Sequence, residues 1–148
     1  QLNSPLFDEK TKQGGFMSEI KTTTLTLGDL KIKESSIGKL LNLKLPVKTA
    51  YRMSKLSKTI VKELTDLEEQ KTKLVEKYGE KTDKGISIKP ENKEAWEVFL
   101  TDYNELLKEE ATFSFIPISL NDIPENELTV IDMMHLSDFI LEGENTDG

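Results

Sequence analysis

The sequence predicts an α+β protein that is mainly α: a long antiparallel helical hairpin with a small β-hairpin or edge strand and short flanking helices. Two stretches with apolar residues three or four apart, from Val47 to Tyr78 and after Pro90, predict the two long helices. Two stretches of period-two alternation, from Thr22 to Lys33 and from Phe113 to Leu120, predict the minor β part.

Residues 1–16 carry no periodic apolar pattern and end in Gly14-Gly15, ahead of a natural-looking start at Met17. They read as a flexible arm or expression remnant, leaving 17–141 as one helical-hairpin domain with minor β and 142–148 as a disordered tail. Leu25 and Leu27 alternate with threonines, and Leu30 and Ile32 with lysines. A turn at Gly28-Asp29 would therefore place all four apolar residues on one face of a hairpin. Ser35 or Ser36 then caps a short helix through Ile37, Leu40 and Leu41, which stops before Pro46.

Pro46 opens the longest element, because at a first helical turn its missing N–H costs nothing. Its apolar positions are Ala50, Met53, Leu56, Ile60, Leu64, Leu67, Leu74 and Tyr78, with Lys71 as the one polar intrusion, and Gly79 ends it as a C-cap. At roughly 45 Å it exceeds what a compact domain needs, so part of the apolar seam is expected to face another chain. Glu80–Lys89 forms a small hairpin or irregular tip around Thr82-Asp83-Lys84-Gly85. The second helix starts at Pro90 with Glu91, Glu94 and Glu97 in its first turns and an apolar face of Trp96, Phe99, Leu100, Tyr103, Leu106 and Leu107. Phe113, Phe115, Ile116, Ile118 and Leu120 then form a strand that Pro117 confines to a sheet edge or bend. A last helix runs from Val130 to about Phe139, with Thr129 as cap and Asp132 three residues on.

Charge is laid out unevenly. Residues 31–62 hold nine Lys/Arg and one Glu, while residues 91–148 hold fifteen Asp/Glu and two Lys, so the net charge of −7 hides two opposed surfaces. Projected at 100° per residue, Lys48, Arg52, Lys55, Lys58 and Lys62 gather on one side of the long helix, opposite the apolar seam of Met53, Leu56, Ile60, Leu64, Leu67 and Leu74. Such a stripe is a solvated face, or a docking face for an acidic surface such as the Glu-rich second helix or C-terminal region of a neighbouring copy. Five cations could also track phosphates, but the negative total and the lack of a nucleic-acid module disfavour that partner.

Nothing in the chain specifies a reaction. His135, the single histidine, stands between methionines and leucine and reads as a partly buried helix residue. Glycine-rich phosphate loops and nucleophile elbows are missing from the sequence, and Glu68-Glu69 and Glu109-Glu110 point to different helix faces. With no cysteine there is no disulfide framework and no thiolate metal site, and no run of apolar residues is long enough to cross a membrane. Neither a catalytic residue, nor a cofactor, nor a metal is expected.

The stretches Leu45-Pro46-Val47-Lys48-Thr49-Ala50-Tyr51-Arg52, Leu74-Val75-Glu76-Lys77-Tyr78-Gly79-Glu80-Lys81 and Tyr103-Asn104-Glu105-Leu106-Leu107, followed by Pro117-Ile118-Ser119-Leu120, resemble a family of small proteins encoded by tailed bacteriophages and prophages. The resemblance spans about Ile37 to Leu141 and leaves residues 17–34 outside it. It implies a phage origin and brings no catalytic residues. The expectation is a non-enzymatic protein that binds protein, as a homo-oligomer or with another phage protein, in the infected cell's cytoplasm or in the virion. The alternative is an inhibitor of a host defence or nucleic-acid enzyme, its acidic half mimicking nucleic acid.

Overall fold

A computed structural model describes residues 20–141, so the readings for 1–16 and 142–148 fall outside the described residues. The chain is α+β and mainly α. Strand β1 (Lys21–Thr26) leads into helix α1 (Leu27–Ile32), and α2 (Glu34–Leu41) follows after Lys33, which ends one helix and begins the next. The long α3 (Val47–Tyr78) is joined to α4 (Lys93–Leu107) by a small antiparallel hairpin, β2 (Glu80–Thr82) and β3 (Gly85–Ser87). After α4 come β4 (Glu110–Phe115), β5 (Ile118–Ser119), a 3-10 turn, α5 (Val130–Leu136), a second 3-10 turn and β6 (Ile140–Leu141).

The expected hairpin at Gly28-Asp29 does not form. Only its first strand exists, and the second is α1. Thr26 supplies the reason: its hydroxyl accepts from the Asp29 N–H at 3.0 Å, capping a helix whose first turn carries the acid that the dipole favours. Leu27 and Leu30, three apart, are then both buried, whereas Ile32, which a hairpin would have turned inward, is 66% exposed. The partner of β1 comes from the other end of the chain. It pairs antiparallel with β4, Lys21 opposite Phe115 and Thr26 opposite Glu110.

Two expected caps are also displaced. Helix α2 starts at Glu34 without a side-chain cap, and Ser36 lies inside it, buried and turned toward α5. Helix α4 starts at Lys93 rather than at Pro90, because the Asn92 side chain accepts from the Ala95 N–H at 3.1 Å and is the better terminus. Glu91 consequently falls before the helix and Glu94 alone occupies the first turn. Thr129 caps α5 as expected, with a reciprocal capping box to Asp132.

Helix α3 spans the expected residues, with Pro46 one position earlier as its N-cap. Gly79 ends it in extended rather than left-handed backbone. A Cβ there would lie 2.6 Å from the Val75 carbonyl oxygen and 2.7 Å from that of Ser87, so the glycine permits β3 to close against the helix end. Met53, Leu56, Ile60 and Leu67 are buried within the chain itself, and Leu64 is half-buried against the same core. The expectation that this part of the seam faces another chain is thereby corrected: α1, α2 and β4 cover it. Ala50 is exposed, and Thr49 takes the inward place, donating its hydroxyl to Asp122 at 2.7 Å.

Helix α4 folds back along α3. Near its middle the Tyr78 hydroxyl donates to Asp102 at 2.5 Å, and Lys71, the polar intrusion in the seam, places its ammonium 5.6 Å from the centre of the Tyr103 ring. The core gathers under the N-terminal half of α3, where Leu30, Leu136 and Phe139 are fully buried and Ala111, Phe113 and Phe115 project from one face of β4. Pro117 separates β4 from β5, and β5 pairs parallel with β6.

Candidate protein-binding groove

Helix spacing places Lys48, Arg52 and Lys55 in one row along α3, since residues four and three apart are neighbours on a helix surface. Lys48, Lys55, Lys58 and Lys62 are exposed and Arg52 is half-buried. Lys62 pairs with Asp66 at 2.8 Å, and that carboxylate raises the lysine above its ordinary pKa. The other four make no ion pair with another described residue. Lys55 instead rests 4.8 Å from the centre of the exposed Tyr51 ring.

Three of the five cations border a groove of about 670 Å³ between α3 and β4. Lys48, Tyr51, Arg52, Lys55, Leu56 and Thr59 form one wall, residues 112–116 form the other, and Ile20 stands at the end. This volume lies in the range of small-molecule and cofactor pockets. Lys58 and Lys62 lie beyond the groove on the same helix. Of the predicted seam, Leu56 contributes to the groove, while Met53, Ile60 and Leu67 serve the core and Leu64 and Leu74 are half-buried.

Among the described residues the β4 wall is an unpaired strand edge. In an antiparallel pair, alternate residues exchange hydrogen bonds across the ladder and the intervening ones direct their N–H and C=O outward. The Leu27 N–H donates to the Glu109 carbonyl at 2.8 Å, which fixes the phase: Leu25 with Ala111, Thr23 with Phe113 and Lys21 with Phe115 are the bonded pairs. Thr112 and Ser114 therefore aim their main-chain groups away from β1. Their side chains confirm the phase, approaching Thr24 at 2.9 Å and Thr22 at 3.1 Å as close non-bonded pairs do. Among the described residues the sheet has no third strand.

A second constellation has the composition of a hydrolytic site. The Ser36 hydroxyl lies 2.7 Å from Asp132 Oδ1 and 3.1 Å from His135 Nδ1, and Lys39 donates to Asp132 Oδ2 at 2.9 Å. A serine has one proton, and here it goes to the carboxylate, so His135 Nδ1 must be the donor toward Ser36 rather than a base. Ser36 is also only 2% exposed. The cluster clasps α2 to α5. The Thr129 backbone N–H, Lys39 and Ser36 together hold the Asp132 carboxyl well below the usual carboxylate range, against the opposing effect of its burial.

The basic stripe, His135 and an edge strand through Phe113 and Phe115 were legible in the sequence, but not that this strand lies beside α3 as the groove's second wall. The only local signal was the alternation Ala111, Phe113, Phe115, which marks a half-buried strand without naming its partner. Among the described residues no three His, Asp or Glu side chains converge to hold a metal ion, and no helix is long and apolar enough to cross a membrane. Comparison with protein-family models, with curated proteins and with solved structures finds no match to this chain.

Proposed function

We propose that this chain is a non-enzymatic bacteriophage protein that acts by protein–protein interaction, as a self-associating structural or assembly component in the infected cell's cytoplasm or in the virion. The observation that carries the reading is the row Lys48, Arg52, Lys55 and Lys58, four cations on one helix face with no ionic partner among the described residues. With most of the apolar seam spent on the chain's own core, the opposite face is what remains for docking. A neighbouring copy offers a matching surface in the exposed carboxylates Glu91, Glu94 and Glu97. Phage origin rests on the sequence resemblance alone.

Light scattering coupled to size exclusion tests this. The expected result is a defined oligomer that Lys55→Glu, Lys58→Glu and Lys62→Glu together return to monomer with an unchanged circular dichroism spectrum. A wild-type chain that stays monomeric at every concentration refutes self-association. The rival reading, an inhibitor whose acidic half mimics nucleic acid, draws on the exposed Glu94, Glu97, Glu105, Glu109 and Glu110. It expects a monomer that competes with DNA for a purified nucleic-acid enzyme.

A further inference from the structure

The outer edge of β4 supports a more specific inference, which rests on reading the basic face as a protein-docking surface. We propose that the groove between α3 and β4 binds an extended segment of a partner protein, with acidic residues two apart on the side that faces α3, as a third strand of the β1–β4 sheet.

Three features of the site select this occupant. Thr112 and Ser114 present outward N–H and C=O groups, and a strand edge of this kind is satisfied by main-chain hydrogen bonds from an added strand. The opposite wall carries Lys48, Arg52 and Lys55, whose helical neighbours lie about 5–6 Å apart, while alternate side chains of a strand repeat at about 6–7 Å. Carboxylates at alternate positions of the added strand can therefore each meet one cation. The intervening side chains of the added strand turn to the opposite face, beside the exposed Thr112 and Ser114, where small hydroxyl residues such as threonine suit the solvent. The chain's own described acids do not supply such a segment, because they stand on helices, at strand ends or in turns rather than at alternate positions of an unpaired strand. The occupant of the groove is accordingly a different protein, docked at Lys48, Arg52 and Lys55, while Lys58 and Lys62 beyond the groove are left for a neighbouring copy.

The experiment uses the full chain and a fluorescein-labelled peptide of about six residues, the usual length of a strand, alternating glutamate with threonine. Binding is followed by fluorescence anisotropy and by amide hydrogen exchange. Saturation is expected to slow exchange at Thr112 and Ser114. Replacing the peptide's glutamates by lysine, or combining Lys48→Glu with Arg52→Glu in the protein, is expected to weaken binding by about tenfold or more. Ser114→Pro removes one outward main-chain donor, keeps the main-chain ladder to β1 and gives up only the exposed hydroxyl contact with Thr22, so it is expected to weaken binding with at most a small fall in the thermal midpoint. N-methylation of alternate peptide amides is expected to abolish binding in the wild-type chain, a check that needs no protein variant.

Binding that leaves Thr112 and Ser114 unprotected, or that ignores peptide charge, overturns the proposal. So does protection of both amides without peptide, either rising with protein concentration, which would make the occupant a second copy, or lost on removing residues 1–16, which would make it the chain's own arm. If the peptide fails to bind while the Lys55, Lys58 and Lys62 variant still dissolves an oligomer, strand addition falls and the docking function stands. If neither occurs, both fall.

Discussion

Ser36 and Asp132 lie ninety-six positions apart in sequence and are joined by a buried hydrogen bond of 2.7 Å that ties α2 to α5. The carboxylate accepts from two further donors, Lys39 and the Thr129 backbone N–H, while the Asp132 backbone N–H donates to the Thr129 hydroxyl, so one residue secures a cap, an ion pair and an interhelical clasp.

That arrangement makes stability sensitive to acid. The folded state lowers the Asp132 pKa, so its ionised form contributes fully above the unfolded value, and the contribution is lost as pH falls below about 4 toward the lower folded value. The urea midpoint should be level near neutrality and decline below that point. Asp132→Asn should lower the midpoint at neutral pH and flatten its acid limb; an unchanged acid limb would contradict the assignment.

Removing the serine tests the clasp separately. Ser36→Ala takes away a hydrogen bond to a charged group and should cost about 1–3 kcal/mol in urea denaturation. The loss should shrink sharply in an Asp132→Asn background, because the two side chains act as one unit.

Leu30 and Ile32 discriminate between the helix found and the hairpin that the sequence pattern favoured. Leu30 is fully buried in α1, so Leu30→Ala should cost about 2–5 kcal/mol, whereas Ile32→Ala should fall within about 0.5 kcal/mol of wild type. Equal losses at the two positions would point back to a strand with both residues on one face.

The glycines give a paired contrast. A Cβ at Gly38 meets nothing within 4 Å inside α2, so Gly38→Ala should stabilise by about 0.5–1 kcal/mol through helix propensity and unfolded-chain entropy. Gly79→Ala forces the new methyl against the Val75 and Ser87 backbone and should destabilise. Thermal midpoints moving in opposite directions are the expected readout.

What the sequence made legible was local. Helix α3 could be bounded because its apolar spacing is sustained and Pro46 and Gly79 flank it; the β2–β3 tip and the Thr129 cap are likewise short-range signals. Residues 27–32 misled because leucines three apart next to Gly28-Asp29 fit a helical turn and a hairpin alike, and only the cap from Thr26 decides between them. Thr49 could not be preferred to Ala50 without Asp122, nor Lys71 understood in the seam without Tyr103. The groove was half visible for the same reason: its cationic wall is periodic within one helix, while its strand edge depends on a pairing that no local rule announces.

That pairing governs the order of assembly. Lys21 meets Phe115 only after the intervening chain has been gathered in, and the entropy of closing so large a loop must be met before the ribbon gains anything. The α3–α4 hairpin, built from nearer neighbours, is positioned to come first and present its flank as a template on which the two strands join last. In pulsed amide labelling during refolding, Thr23 and Leu25 should acquire protection after Leu56 and Ile60, so the proposed docking edge is completed in the final step of the chain's maturation.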